Sequence, residues 1–573
     1  MAENRWLIDT GASSRFPVYT RLNANDVLPD PITPLGASLA WIPEIFPGFT
    51  LGYAAVGTFD PAEVTTEDVW PAAAFFYGHL YVNMSMSRTV GIRNGLGWQA
   101  VDAAFFAGHP DAPPHAPRPD DTNDPLAARM AERTQWTLTT STYPDLEEER
   151  AIADRCRAER PDLASMSAGA LVARARSMMP LERLMWRGEM LATTQSAVGP
   201  AVIAQIVGDP NLVVRLVGHA GEVDSAAPSL ALWELSRVAR SDADVAAEFD
   251  RGMDGLLDRL HAHHAGFSPQ FAAFLLAYGY RGPSEWDVGA DSWETQPELP
   301  LALIDRLRQL DETASPATRQ DNEAVQSQAA LQQALGQLGE DEETKQTLLL
   351  ALGSARRFGA WRERAKSNCI KVLHEARVAL FELARRLVAQ GYLDEPRQLF
   401  MALEEELDIL VLDPASLSNV LADRQRQWRA LFGLQLPTFV QAGEPMTPLS
   451  ELEGLRHAAE AVAQPGEILQ GAPASAGVVR GRARIVHDIG TIADFQPGEI
   501  LVAPHTDPSW TPLFLVSAGV VVDVGAMQSH AMIVSRELGV PCAAGVPSAT
   551  RRIPDGALVE VDGSTGRVTI LSG

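Results

Sequence analysis

At 573 residues the chain is about four times the ~150-residue prior for one domain, and its 46% apolar and 21% charged residues, with 44 Gly and 39 Pro, exclude a collagenous, low-complexity or wholly disordered protein. Its 47 basic against 73 acidic residues leave a formal charge of −26, which disfavours nucleic-acid phosphates and anionic lipid as partners. Cys156, Cys369 and Cys542 lie too far apart for a disulfide framework or a thiolate zinc site, and with no basic-then-apolar leader and no run of ~18 apolar residues the chain is expected in the reducing cytoplasm.

Residues 1–107 read as a mixed α/β opening segment. VYTRLNANDVLPDPITPL and HLYVNMSMSRTVGI look like short strands and turns, with Pro29, Pro31 and Pro34 opposing a long helix. The five prolines of GHPDAPPHAPRPDD, residues 108–121, predict an exposed loop or arm. From Ala127 to about Leu434 the period is helical, as in SMMPLERLMWRGEMLATTQ and NCIKVLHEARVALFELARRLVAQG, the latter closed by Gly391. Within it the Ala/Gln-rich stretch 315–346 predicts a solvated helix. After a Pro/Gly/Ala-rich connection the text changes to Gly-punctuated strands, GVVRGRARIV, GEILVAP, AGVVVDVG, ALVEVDG and GRVTIL, around one helix, HAMIVSRELG. The expected fold is multidomain α+β: an α-rich domain over 1–440, a linker over 441–470 and a small β/β/α domain over 471–573.

The chemistry concentrates in AGVVVDVGAMQSHAMIVSRELGVPCAAGV, residues 518–546. A strand over Val520–Val524 runs through Gly525 and a tight turn to Ser529-His530, which opens a helix; unpaired amides and the positive helix terminus there make an anion cradle. An imidazole at that point can take a phosphoryl group covalently, with Ser529 adding a hydroxyl donor. The plainer reading is a capping serine beside a packed histidine. Arg362 and Lys366, four apart in WRERAKSN, share a helix face and could grip a transferring phosphoryl, or could be a solvated basic face paired with Glu363. In YGYRGPSE, Arg281 and Glu285 flank a Gly-Pro turn, placed either to orient and activate an acceptor hydroxyl or to fasten a loop as an ion pair. His261, His263 and His264 precede Gly266 at a helix end with no carboxylate or Cys at ligand spacing, so no metal is expected. No Walker or Rossmann glycine motif supports nucleotide binding by this chain.

The succession GAPASAGVVRGRARIV, GEILVAPHTDPSWTPLF, the His530 segment and IPDGALVEVDGSTGRVTIL, spanning residues 471–573, resembles the swivelling phosphohistidine domain of the phosphoenolpyruvate-utilising enzymes. The resemblance implies that His530 carries a phosphoryl group between two remote sites. Ala526, where the family usually has a second Gly, and Gln528, which replaces a smaller or apolar residue, depart from the pattern.

LPDPITPL, YVNMS, YGYRGPSEWD, and WRERAKSN followed by ARRLVAQGYLDEPRQLF resemble the acceptor-binding domain of rifampicin phosphotransferases over most of residues 15–435. That likeness implies transfer-site cations at Arg362 and Lys366 and draws Asn83 and Thr33 in as weaker acceptor-binding candidates. Tyr280 stands where the family usually has His, which leaves Glu285 as the nearest carboxylate candidate for a base. Those enzymes open with an ATP-grasp domain, and nothing like one precedes Leu28 here, so the resemblance implies a split machine, as in phenylphosphate synthases. A separate ATP-grasp protein with Mg²⁺ would move the β-phosphoryl of ATP to His530, releasing phosphate and AMP, and this chain would pass it to a small-molecule hydroxyl. The net reaction is either phosphorylation or a phosphorylation-driven dehydration. The alternatives are a non-catalytic phosphocarrier or ligand-sensing binding protein, and a degenerate relative that has lost its loading module.

Overall fold

The computed structural model describes residues 5–95, 97–106, 109, 111–217, 224, 227–264, 266–432, 434–454, 461–487, 495–525 and 529–572. The architecture is multidomain α+β, and the chain divides into two compact units, neither continuous in sequence. Residues 1–199, 284–290 and 357–458 form the first, and residues 200–283, 291–356 and 459–573 the second.

The first unit contains an antiparallel sheet ordered β2-β3-β1-β4, from β1 (Val18–Thr20), β2 (Ala73–Phe76), β3 (His79–Asn83) and β4 (Phe439–Gln441). Two expectations change here. MSMSRTVGI, read with the strands, is the helix Met84–Arg93, because Asn83 ends β3 and its Oδ1 accepts the Met86 N–H at 2.8 Å, starting a helix at once. Pro34 opens a helical run rather than opposing one. A proline in a first turn forfeits no intrahelical hydrogen bond, so residues 34–56 are helical throughout, with a π-helical stretch Gly36–Ile45 around Pro43 followed by α1 (Phe46–Val56).

Further helices of this unit include α2 (Asp124–Thr139), α3 (Pro144–Ala158) and α4 (Ala168–Ser196). α1 nests against α4 through Gly48 and Gly52, one turn apart. A Cβ on Gly52 would stand 2.4 Å from Met190 Cβ, and one on Gly48 would stand 2.7 Å from the Arg183 carbonyl oxygen. The core is aromatic here, with the ring of Trp186 5.5 Å from Trp41 and 4.8 Å from Trp286. The helical run Ala168–Val207 is long and apolar enough, by length and composition, to cross a membrane. Its Met185, Trp186 and Ala192 are buried core residues of this unit, and it also carries the buried Glu182 and Glu189.

The long helix α5 (Glu342–Ala389) counts with the second unit through Arg356 and with the first from Arg357. Gly391, at φ +79°, closes it as its sequence predicts. The stretch 315–346 likewise holds the helix Pro316–Gln337, solvated on most faces, with Ser327, Ala330, Leu331 and Ala334 buried in one stripe.

The second unit contains an eight-stranded sheet ordered β5-β12-β11-β7-β8-β9-β10-β6. Its strands are β5 (Ile468–Gln470), β6 (Ala472–Ser475), β7 (Val478–Ile485), β8 (Ile500–Ala503), β9 (Gly519–Val522), β10 (Cys542–Ala544), β11 (Leu558–Asp562) and β12 (Arg567–Ser572). Pairing is parallel from β7 through β8 and β9 to β10, and antiparallel elsewhere. The β8–β9 connection carries the short helix Thr511–Val516 and the β9–β10 connection carries α6 (His530–Glu537).

One apolar cluster joins Leu232, Phe271, Trp293 and Ile304 to Phe514, Val522, Met532 and Val540. The sheet therefore shares a core with helices drawn from residues 227–307, a grouping that composition breaks near 440 and 470 do not reveal. β4 lies in the first unit's sheet and β5 in the second's, and residues 455–460 of the stretch between them lie outside the described residues.

Candidate functional site

β8, β9 and β10 run parallel, so the loops leaving the carboxyl ends of β8 and β9 emerge on one edge of the sheet. The first loop carries Thr506 and Thr511, the second Ser529 and His530, and they meet there. His530 is the first residue of α6; its Nδ1 lies 2.9 Å from Thr506 Oγ1 and its Nε2 3.1 Å from Thr511 Oγ1. The edge of Phe514 closes on the ring, with centroids 5.8 Å apart at 84°. A hydroxyl can donate or accept, so the two threonines satisfy either imidazole tautomer. In each tautomer the protonated ring nitrogen donates to its threonine and the unprotonated one accepts from the other.

Ser529 is buried as the N-cap of α6, with its Oγ accepting the Met532 N–H at 3.4 Å. Gly525 serves a close approach: a Cβ there would meet Ala544 Cβ at 2.9 Å and Ser529 Oγ at 3.2 Å. Ala526 and Gln528 lie outside the described residues. At the other end of α6 the half-buried Arg536 donates from Nε to the Ala474 carbonyl at 2.6 Å, anchoring the helix that presents His530. The hydroxyl pair was missed in the sequence, although HTDPSWT, adjoining β8, was its signal.

In the first unit Arg362 and Lys366 share one face of α5, as their spacing predicts. Both act on the buried carboxylate of Glu189, on α4, which accepts the Thr193 hydroxyl at 2.7 Å. Burial pushes Glu189 above its ordinary range, while Thr193, Arg362 and Lys366 pull it down. Among the described residues Arg362 Nε is buried without a hydrogen-bond partner. Glu182, also on α4, is held well above the ordinary carboxyl range by burial, against the nearby Arg377. The local helical pattern does not mark these two glutamates as buried.

Arg281 belongs to the second unit, buried, its guanidinium 5.0 Å over the Tyr280 ring and its carbonyl accepting the Trp293 N–H at 2.7 Å. Glu285 belongs to the first unit, buried, its carbonyl accepting from Arg377 Nη2 at 2.6 Å. The link that the sequence motifs conceal is Asp287 to Thr33: the Asp287 carboxylate accepts the Thr33 N–H at 2.8 Å, the Thr33 hydroxyl at 2.6 Å and the Gly289 N–H at 2.9 Å. Asn83 is buried, with Oδ1 on the Met86 N–H and Nδ2 on the Phe16 carbonyl, 2.8 Å each. His264 lies 4.0 Å from Glu248, and among the described residues no group of three or more His, Cys, Asp or Glu could hold a metal ion.

Residues 495–566 match the family model of the PEP-utilising enzyme mobile domain, the segment that builds the His530 site. This stretch is similar to the mobile domain of the phosphoenolpyruvate-utilising enzymes, as its sequence resemblance predicts. Residues 185–363 match the family model of the rifampicin phosphotransferase fourth domain. It is 29% identical over 500 residues to the rifampicin phosphotransferase of Streptomyces sviceus, covering 82% of this chain and 53% of that one. With the Bacillus cereus enzyme of the same name the identity is 30% over 349 residues, 60% of this chain and 39% of the other. An uncharacterised protein of Mycobacterium tuberculosis is 35% identical over 315 residues, 55% of this chain and 33% of its own length. The chain spans about half or less of the length of these curated relatives.

Proposed function

We propose that this chain is the phosphoryl-carrying and acceptor-binding component of a phosphotransferase. His530 takes a phosphoryl group derived from ATP, loaded by a separate ATP-grasp protein that holds nucleotide and Mg²⁺, and passes it to the hydroxyl of a small molecule. The observation that carries this reading is His530 at the start of α6 with a threonine hydroxyl at each ring nitrogen. In loading, the bond between the α- and β-phosphoryl groups of ATP breaks and AMP leaves, water takes the γ-phosphoryl as phosphate, and an N–P bond forms on the ring, where the α6 amides and positive helix terminus stabilise the added oxygens. In the second step the N–P bond breaks, the acceptor oxygen bonds to phosphorus, and its proton leaves to a base. Arg362 and Lys366, on one face of α5, are suited to neutralise the transferring charge. The swivelling of residues 471–573 between loading and transfer sites belongs to the same proposal, as does a cytoplasmic location, in keeping with three unpaired cysteines.

The test mixes the chain with ATP, Mg²⁺ and the ATP-grasp protein and follows phosphohistidine by mass spectrometry at neutral or alkaline pH. One phosphoryl on the His530 peptide is expected, absent from His530→Ala and without the partner. Arg362→Ala and Lys366→Ala should still load but transfer at least about tenfold more slowly. No phosphorylation by a demonstrably active partner would overturn the reading.

A further inference from the structure

The first unit holds a half-open cavity of about 410 Å³ lined from α1, α2, α3 and α4. Its apolar walls include Ala55, Leu184 and Leu191, and its aromatic ones Trp136 and Tyr143. The two rings are fixed edge-to-face with centroids 5.6 Å apart, and Tyr143 touches Trp361, the neighbour of Arg362, at 5.7 Å. A hollow of about 300 Å³ continues from it, sharing Ala55, Arg133 and Trp136.

Glu149 lines the cavity, 6% exposed, and its Oε2 has no hydrogen-bond partner. The carboxyl reaches this place only because position 188 is glycine: a Cβ there would stand 2.3 Å from Oε2 and 2.4 Å from Oε1. A buried acceptor left unmade costs free energy that a ligand hydroxyl would recover. The charged groups around it are Asp145 and Glu148 on α3, Arg187 on α4 and Arg133 on α2. Burial, then Asp145, push Glu149 up to about 8, against Arg187, so at neutral pH it keeps its proton and the remaining wall charges balance. A balanced wall with two rings favours an uncharged ligand.

We propose that this cavity binds a neutral aromatic alcohol, its ring against Trp136 and Tyr143 and its hydroxyl on Glu149. The proposal rests on the phosphotransferase reading only in making that alcohol the phosphoryl acceptor.

The test is calorimetric titration of the full unphosphorylated chain, without ATP, with 1-naphthalenemethanol and with 1-methylnaphthalene, the same ring without the hydroxyl. The alcohol should bind one per chain and about fivefold more tightly than the hydrocarbon, the return on one hydrogen bond. Glu149→Ala should erase that preference while the ring still binds, Leu184→Trp should fill the cavity and abolish both, and His530→Ala should change neither. Equal affinity for the two probes, or binding indifferent to Leu184→Trp in a variant that melts like the parent, would overturn the site. Alcohol binding without phosphohistidine formation would remove the transfer reading alone, and phosphohistidine without binding would remove this site alone.

Discussion

His530 is engaged at both ring nitrogens by hydroxyls, whereas Asn83, which sequence resemblance also puts forward, spends its oxygen on the Met86 amide and its nitrogen on the Phe16 carbonyl. A side chain committed on both ends is a cap, so Asn83→Ala should cost about 1–2 kcal/mol in urea melts and leave phosphohistidine formation intact. Glu149 makes a different prediction, because its folded pKa of about 8 exceeds the ordinary 4.5. The folded state holds the proton across that window while the unfolded state has lost it. The stabilisation is therefore full below about 4.5 and is lost as pH rises to about 8. Glu149→Gln should flatten this slope and raise the melting temperature at pH 8 relative to the parent, measured by thermal melts at several pH values. The histidine was legible because a Gly-turn followed by Ser-His announces a helix start; Thr506 and Thr511 were not, since only the parallel pairing of β8 with β9 brings their loop to that helix.

At the scale of elements, close approach matters more than propensity. Gly52 faces Met190 across the α1–α4 contact, and a leucine there would force the helices apart. Gly52→Leu should destabilise by about 1–3 kcal/mol or more in denaturant melts. Gly336, on the exposed helix Pro316–Gln337, has nothing within 4 Å of the place an alanine methyl would occupy, so Gly336→Ala should stabilise by about 0.4–1 kcal/mol in the same melts. The same distinction governs α5. The shared face of Arg362 and Lys366 follows from a four-residue spacing, but their carboxylate neighbour Glu189 lies on another helix and no local pattern points to it.

On the scale of the whole molecule the C-terminal sheet does not stand alone, since Phe514, Met532 and Val540 are covered by Leu232, Phe271, Trp293 and Ile304. Residues 459–573 expressed without the rest should melt below the full chain and bind ANS through that uncovered face; a stable fragment that binds none would show the shared core to be dispensable. Breaking this contact is also part of what the proposed swivelling must overcome.

The sequence by itself determined the elements whose cause is local. These are the helical period from Ala127 onward, the Gly391 stop, the strand succession after Gly471 and the serine-histidine helix start, because periodicity, caps and turns act over a few residues. Tertiary structure alone decided what depends on distant segments meeting: the two-threonine clamp on His530, the Asp287–Thr33 link, the glutamates between α4 and α5, and the grouping of residues 200–283 and 291–356 with the C-terminal sheet. Burial and long-range packing create those, and neither is encoded in any one stretch of the chain.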